Sequence, residues 1–176
     1  ADQVASADLL RAQSASGEMT GVVWMAPEEP EAAWNLVQLI KSCAQQAGSA
    51  RMRLHAVTTG AQVVTAAPRD RVQVLQGAVW GAGRVLAEEH PDMWGGLVDL
   101  DPSASAAANA EALSAELLLN DGQAQIALRD GRRHGLRLAE FEVSARRAAP
   151  AAWRADGAYL ITGGLGAIGQ RVAADM

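Results

Sequence analysis

The stretch GAYLITGGLGAIGQRVAADM, residues 157 to 176, holds the residues with the clearest chemical purpose. Gly164-Leu165-Gly166-Ala167-Ile168-Gly169 fits G-x-G-x-x-G, with Thr162 and Gly163 leading in. In that spacing the first glycine permits a tight turn and the second lets backbone approach a phosphate. The third allows close packing of helix on strand. Unpaired N–H groups at the start of the next helix, where the dipole favours negative charge, would hold the anion. With the apolar run Tyr159-Leu160-Ile161 before it, read as a strand, and a helix after it, the loop reads as a cradle for a nucleotide pyrophosphate. The competing reading is a strand–helix turn that needs glycine for packing alone.

The groups that would work beside such a loop are mostly missing. Short-chain reductases with a TGGxGxxG loop use a Tyr to protonate the carbonyl oxygen. A Lys four residues on lowers its pKa and holds the ribose. The sequence has one tyrosine, Tyr159, and one lysine, Lys41, and the residue four beyond Tyr159 is Gly163. No catalytic residue is therefore assigned.

His55 falls in a strand, His90 at a helix end and His134 in a hairpin. No two have metal-ligand spacing, and the single cysteine, Cys43, is far from all three, so no metal is expected. His90, after Glu88-Glu89, reads as a helix end meeting its dipole. Asp99 and Asp101 flank Leu100 where α/β ligands often bind, but read as solvated acids at a strand-to-loop junction. Arg129, Arg132, Arg133 and Arg137 make a basic hairpin, either a solvated turn or a contact for an acidic carrier. Cys43 reads as a small core filler, and Trp24, Trp34, Trp80, Trp94 and Trp153 as core and interface anchors.

The elements that must position these residues follow from periodicity. A weak helix is expected over 3–16, and a buried strand over 20–26 (TGVVWMA). A helix over 31–47 sets Trp34, Val37, Ile40 and Ala44 on one face, with Gly48 as its stop. A strand over 51–60 and a helix over 71–90 follow, the latter with Val72, Leu75, Val79, Gly83 and Leu86 in one stripe. Gly77, Gly81 and Gly83 each cost about 0.8–1 kcal/mol relative to Ala inside that helix. They are expected to be buried against a close neighbour, the sheet or another subdomain.

A third strand spans 94–101, a loose Ala/Ser-rich connection runs from Ser103 to Ala110, and a helix covers 111–119. Residues 123–141 read as a hairpin around an Asp130-Gly131 type I′ turn. Residues 144–157 form a linker. Strand then helix, repeated, implies a mostly parallel sheet covered on both faces.

Composition bounds the function classes. The 176 residues suffice for one ordinary domain, and 49% hydrophobic with 20% charged residues is a globular composition. A net charge of −5 argues against general nucleic-acid binding. A single cysteine excludes an internal disulfide and fits a reducing compartment. With no long apolar run and no signal-peptide pattern, a cytoplasmic protein without membrane contact is expected. Both ends read as cuts within a longer polypeptide.

Three stretches together carry a family likeness: VQVLQGAVWGAGRVLAEEHPDMWGGLVDLDP (72–102), IALRDGRRHGLRL (126–138) and GAYLITGGLGAIG (157–169). Their order resembles the ketoreductase domain of modular type I polyketide synthases, over about residues 20–170. The first two resemble that domain's structural subdomain, a shortened Rossmann-like fold without cofactor. The third resembles the start of its catalytic, short-chain-reductase subdomain.

The resemblance implies a Rossmann-like α/β fold with a C-terminal hairpin, divided into a structural subdomain (1–143), a linker (144–157) and the opening of the catalytic half (158–176). It implies NADPH-dependent reduction of a β-ketoacyl thioester carried on the phosphopantetheine arm of an acyl carrier protein. Thr162, Gly163, Gly164, Leu165, Gly166 and Ile168 match the family's pyrophosphate loop. The family's Ser-Tyr-Lys-Asn set falls beyond Met176, so this segment is expected to brace a catalytic half and be inactive by itself. The alternative is a structural module from an inactive reductase that positions neighbouring synthase domains.

Overall fold

The computed structural model describes residues 21–46, 52–64, 72–119, 121–140, 153–154 and 156–176. The helix expected over 3–16 and most of the 144–157 linker lie outside them. The chain divides into two units, Ala1–Arg137 and Leu138–Met176.

The first unit is built on one five-stranded sheet with strands in sequence order. Strands β1 (Gly21–Met25), β2 (Arg53–Thr59), β3 (Trp94–Leu100) and β4 (Gln125–Arg129) are parallel, and β5 (Arg132–Gly135) closes the edge antiparallel to β4. Parallel neighbours need long crossovers, and helices α1 (Ala32–Gln46), α2 (Val74–Glu89) and α3 (Ala106–Leu118) supply them. Two apolar cores result. α1 and α2 pack with Leu54, Ala56, Trp94 and Leu97 on one face of the sheet. On the other face, Val57, Val98, Leu100, Ile126 and Leu128 meet Ala112 and Leu113 of α3. The expected Rossmann-like sheet with helices on both faces is therefore present.

Several local expectations change. Strand β1 is half exposed rather than buried, because it forms an edge of the sheet, with Val23 and Met25 open to solvent. Helix α1 buries Ala32, Leu36, Ile40 and Cys43, leaving Trp34 57% exposed and Ala44 outside. The buried set keeps a spacing of four, four and three, which matches one helical face better than the set centred on Trp34. Helix α2 buries Gln76, Val79, Trp80, Gly83 and Leu86, whereas Val72 and Leu75 face solvent.

Of its three glycines only Gly83 has a close neighbour. A Cβ there would come within 2.8–3.0 Å of the Leu97 methyls and the Trp94 ring. Gly77 and Gly81 have nothing within 4 Å, so the buried glycine face reduces to one position. Helix α3 begins at Ala106, inside the stretch expected to be loose. Ser105 caps it by accepting a hydrogen bond from the Ala108 N–H, and four alanines in its first five residues favour helix.

The sheet's irregularities trace to single residues. In the hairpin, Asp130 (φ 50°) and Gly131 (φ 68°) both adopt the left-handed region, as a type I′ turn requires. Between β2 and β3 the register slips by one, pairing Leu54 with Trp94 but His55 with Gly96. The His55 ring occupies the space a side chain at Gly95 would need. Gly96 has a φ of 140°, open to glycine and strained for other residues. This bulge resets the alternation, so Trp94 and Leu97 reach the same core three residues apart.

Among the described residues of the second unit there is one helix, α4 (Ala167–Asp175), preceded by the glycine loop. The strand expected over Tyr159–Ile161 is absent: among the described residues the 157–161 backbone has no ladder partner, and strand geometry requires one. Leu160 is 94% exposed.

Candidate functional site

Open α/β sheets place ligands outside the carboxyl ends of their strands, at a point where strand order reverses. Among the described residues the order β1-β2-β3-β4-β5 has no reversal, and the carboxyl ends of β2, β3 and β4 are filled by the chain's own side chains. Asp99, expected to be solvated, is fully buried. It accepts hydrogen bonds from Thr58 Oγ1 (2.6 Å), the Ala61 N–H (2.8 Å) and the Gln62 N–H (3.0 Å), and is ion-paired with Arg129.

Arg129, expected on a basic surface, is buried too. Its Nη1 donates to the carbonyls of Asp99, Leu100 and Leu128, and its Nη2 to the carbonyl of Gln62. One guanidinium thus ties the ends of β3 and β4 to the segment after β2. Thr58 Oγ1 in turn accepts from Trp80 Nε1 at 2.9 Å. Gln76 accepts from the Thr59 N–H and donates to the Ala26 carbonyl, linking the ends of β1 and β2.

Asp101 is likewise buried, and for a structural reason. Its carboxylate accepts from the N–H groups of Ser103 and Asp130, holding the start of the β3–α3 connection against the hairpin turn. Arg133 bridges Glu116 and Asp121, which raises its pKa through the Glu116 bond. The Gln123 N–H, then Arg133, hold the Asp121 carboxyl below the usual carboxylate range. Arg137 donates to the Gln123 side-chain oxygen, a neutral acceptor, so neither it nor Arg132 has an acidic partner among the described residues.

The remaining candidates do not assemble into a reaction centre. His55 is half-buried and its pKa is lowered by burial first and by Arg53 second, with Glu116 opposing. His90 ends α2, its N–H donating to the Leu86 carbonyl. Burial raises the Cys43 thiol to about 11, so it stays protonated and inert, as a core filler should. No group of three His, Cys, Asp or Glu suited to a metal occurs among the described residues. Lys41 sits over the Trp34 ring. Tyr159 packs edge-on against Trp153 at 5.1 Å, and its hydroxyl accepts from the Arg154 N–H. Both the sole lysine and the sole tyrosine have structural contacts.

The glycine loop is a turn that runs directly into a helix. Thr162, Gly163, Gly164 and Leu165 form the turn, Gly166 is the N-cap of α4, and Ile168 lies in its first turn with its side chain exposed. Gly163, one residue ahead of the motif's first glycine, adopts the left-handed region at φ 70°. A Cβ on Gly169 would collide with the Gly163 carbonyl oxygen and approach the Gly164 Cα to 2.6 Å, so glycine is obligatory where the helix backs onto the loop.

Inside the loop, the Gly164 N–H donates to Ile161 and the Gly166 N–H to Gly163. The first N–H groups of α4 have no intrahelical partner. Gly166 offers no side-chain cap and the first turn contains no acid, and a helix start of this kind favours negative charge.

Residues 1–138 match the family described as the Rossmann-fold domain of the polyketide synthase extender module SpnB. The chain belongs to this family. It is 38% identical to the pikromycin polyketide synthase component PikAIII of Streptomyces venezuelae, over 98% of this chain and 10% of that protein. It is 35% identical to erythronolide synthase EryA3 of Saccharopolyspora erythraea, over 97% of this chain and 5% of that protein. The chain thus spans a tenth or less of these relatives.

Among solved structures it resembles an A1-type ketoreductase with 31% identity and a TM-score of 0.68, covering 98% of this chain and 38% of that one. A C2-type ketoreductase from a modular polyketide synthase matches with 29% identity and a TM-score of 0.61, over 74% of this chain and 30% of that one. Both likenesses support a ketoreductase domain of a modular polyketide synthase. Sequence reasoning missed the internal partners of Asp99 and Arg129, which lie thirty residues apart with nothing local to pair them.

Proposed function

We propose that this chain is the structural portion and the cofactor-loop opening of a polyketide synthase ketoreductase. The reductase uses NADPH to reduce a β-ketoacyl thioester carried by an acyl carrier protein. In this reading residues 1–143 brace a catalytic half, 144–157 link the two, and 158–176 begin the catalytic half. Thr162, Gly163, Gly164, Leu165, Gly166 and Ile168 receive the pyrophosphate of NADPH. NADPH, when bound, supplies hydride.

The chain's own contribution is binding and orientation. The loop backbone and the first-turn N–H groups of α4 fix the pyrophosphate, and the glycines let it approach. The observation that carries the reading is this uncapped helix start behind an obligatory glycine at 169. Proton donation belongs to residues outside this chain, since Tyr159 and Lys41 hold structural contacts.

The test follows NADPH oxidation at 340 nm with a β-ketoacyl thioester, using the reductase that carries this segment and the 176-residue chain alone. Turnover by the former and none by the latter is expected. Turnover by the chain alone, or none by either, would overturn the reading. The second result would favour a structural module from an inactive reductase.

A further inference from the structure

Gln170 stands one residue past the motif, at a position the motif leaves unspecified. Its side-chain Nε2 donates to the Leu165 carbonyl at 3.0 Å, while its own N–H makes the α4 bond to the Gly166 carbonyl at 2.9 Å. On the other side of the same peptide, the Gly166 N–H donates to the Gly163 carbonyl at 2.9 Å. The Leu165–Gly166 peptide is therefore held at both ends, its C=O by Gln170 and its N–H by Gly163. That peptide is the hinge between the turn and the helix. Its rotation would re-aim the Leu165 N–H on one side and the first-turn N–H groups on the other.

The loop needs such a brace because its other supports are weak. Thr162, Leu165, Gly166, Ala167 and Ile168 are exposed, and no side chain caps the helix. A glycine-rich loop has wide conformational freedom, and ordering it on binding weakens affinity.

We propose that Gln170 is a positioning residue for the cofactor, presetting the backbone donors that receive the pyrophosphate. The inference rests on the pyrophosphate reading of the loop. Gln170 touches no reacting atom; it acts through the Leu165 carbonyl. Its side chain is exposed, so its loss should leave the fold intact.

The experiment titrates NADPH by fluorescence into the reductase carrying this segment, in three forms: unaltered, Gln170→Met and Gly166→Val. Methionine keeps the length of the side chain and removes the donor. Gly166 has φ −80° and ψ 163°, which other residues adopt without strain, and a Cβ there would lie 3.3 Å from the Gly163 carbonyl oxygen, so valine blocks close phosphate approach at the cost of a small shift in that contact. The expected result is a Kd for NADPH raised about 3- to 10-fold in Gln170→Met, in line with the loss of one hydrogen bond. Melting temperature and kcat at saturating cofactor should be unchanged, and KM for NADPH should rise with Kd. Gly166→Val should abolish measurable binding.

If Gly166→Val abolishes binding while Gln170→Met leaves Kd unaltered, the positioning role is wrong and the loop reading stands. If neither changes Kd, the loop does not hold the pyrophosphate and both fall. A Gln170→Met protein whose kcat or melting temperature drops with Kd unchanged would make Gln170 a structural residue, which also overturns the proposal.

Discussion

Arg129 is a buried charge with one carboxylate partner and four carbonyl acceptors. Breaking a buried pair by removing one member strands the other in low dielectric, which costs about 3–5 kcal/mol. Arg129→Met should therefore lower the melting temperature sharply, because Asp99 stays buried and loses its cation. Replacing both, as Asp99→Leu with Arg129→Met, should recover part of the loss. A double variant less stable than either single one would show that the neutral donors around Asp99, not the pair, hold this end of the sheet.

At the other end of β2, His55 makes stability depend on pH. Its folded-state pKa lies below the ordinary histidine value, chiefly through burial. The unfolded chain thus binds the proton more readily, and stability is full above the ordinary value. It is lost as pH falls through the lowered folded value. Denaturation midpoints measured from neutral toward acid pH should show this decline, and His55→Gln should flatten it. An unchanged slope in the variant would remove His55 as the cause.

At the scale of elements, helix α2 shows how far sequence reading reaches. Its position, its stop before Pro91 and its buried Val79, Gly83 and Leu86 followed from periodicity alone. The rest of its face did not, because Gln76 is recruited inward by partners on β1 and β2 that no local pattern encodes. The hairpin was legible since Asp-Gly specifies its own turn, whereas Asp99 and Asp101 were misread since all the partners of Asp99, and the Asp130 N–H that holds Asp101, are distant in sequence. The same limit applies to the site. The loop could be read from its glycine spacing, but its brace from Gln170 could not.

The glycines of α2 convert this into a measurement. Gly81 is exposed with open space around it, so Gly81→Ala should stabilise the protein by roughly 0.5–1 kcal/mol. Gly83→Val must displace Leu97 and Trp94 and should destabilise by about 1–3 kcal/mol. Thermal melts showing Gly81→Ala destabilising would mean that a partner packs against that position.

At the scale of the whole molecule, one chain carries a sheet whose strand ends are closed and, separately, a helix start that is left uncapped. In the first unit the carboxyl ends of the sheet are closed by Asp99, Arg129, Gln76 and Thr58. In the second, a glycine loop leaves its helix start open. In the proposed function the Rossmann-like sheet serves as scaffold and the separate loop takes the nucleotide, a division that fold by itself does not reveal.

The most direct test of that division is amide hydrogen exchange on the reductase carrying this segment, with and without saturating NADPH. Added protection is expected within residues 162–169 and the first turn of α4, with none at Thr58–Gln62 or Asp99–Asp101. Protection at those strand ends, or its absence from the glycine loop, would contradict the account.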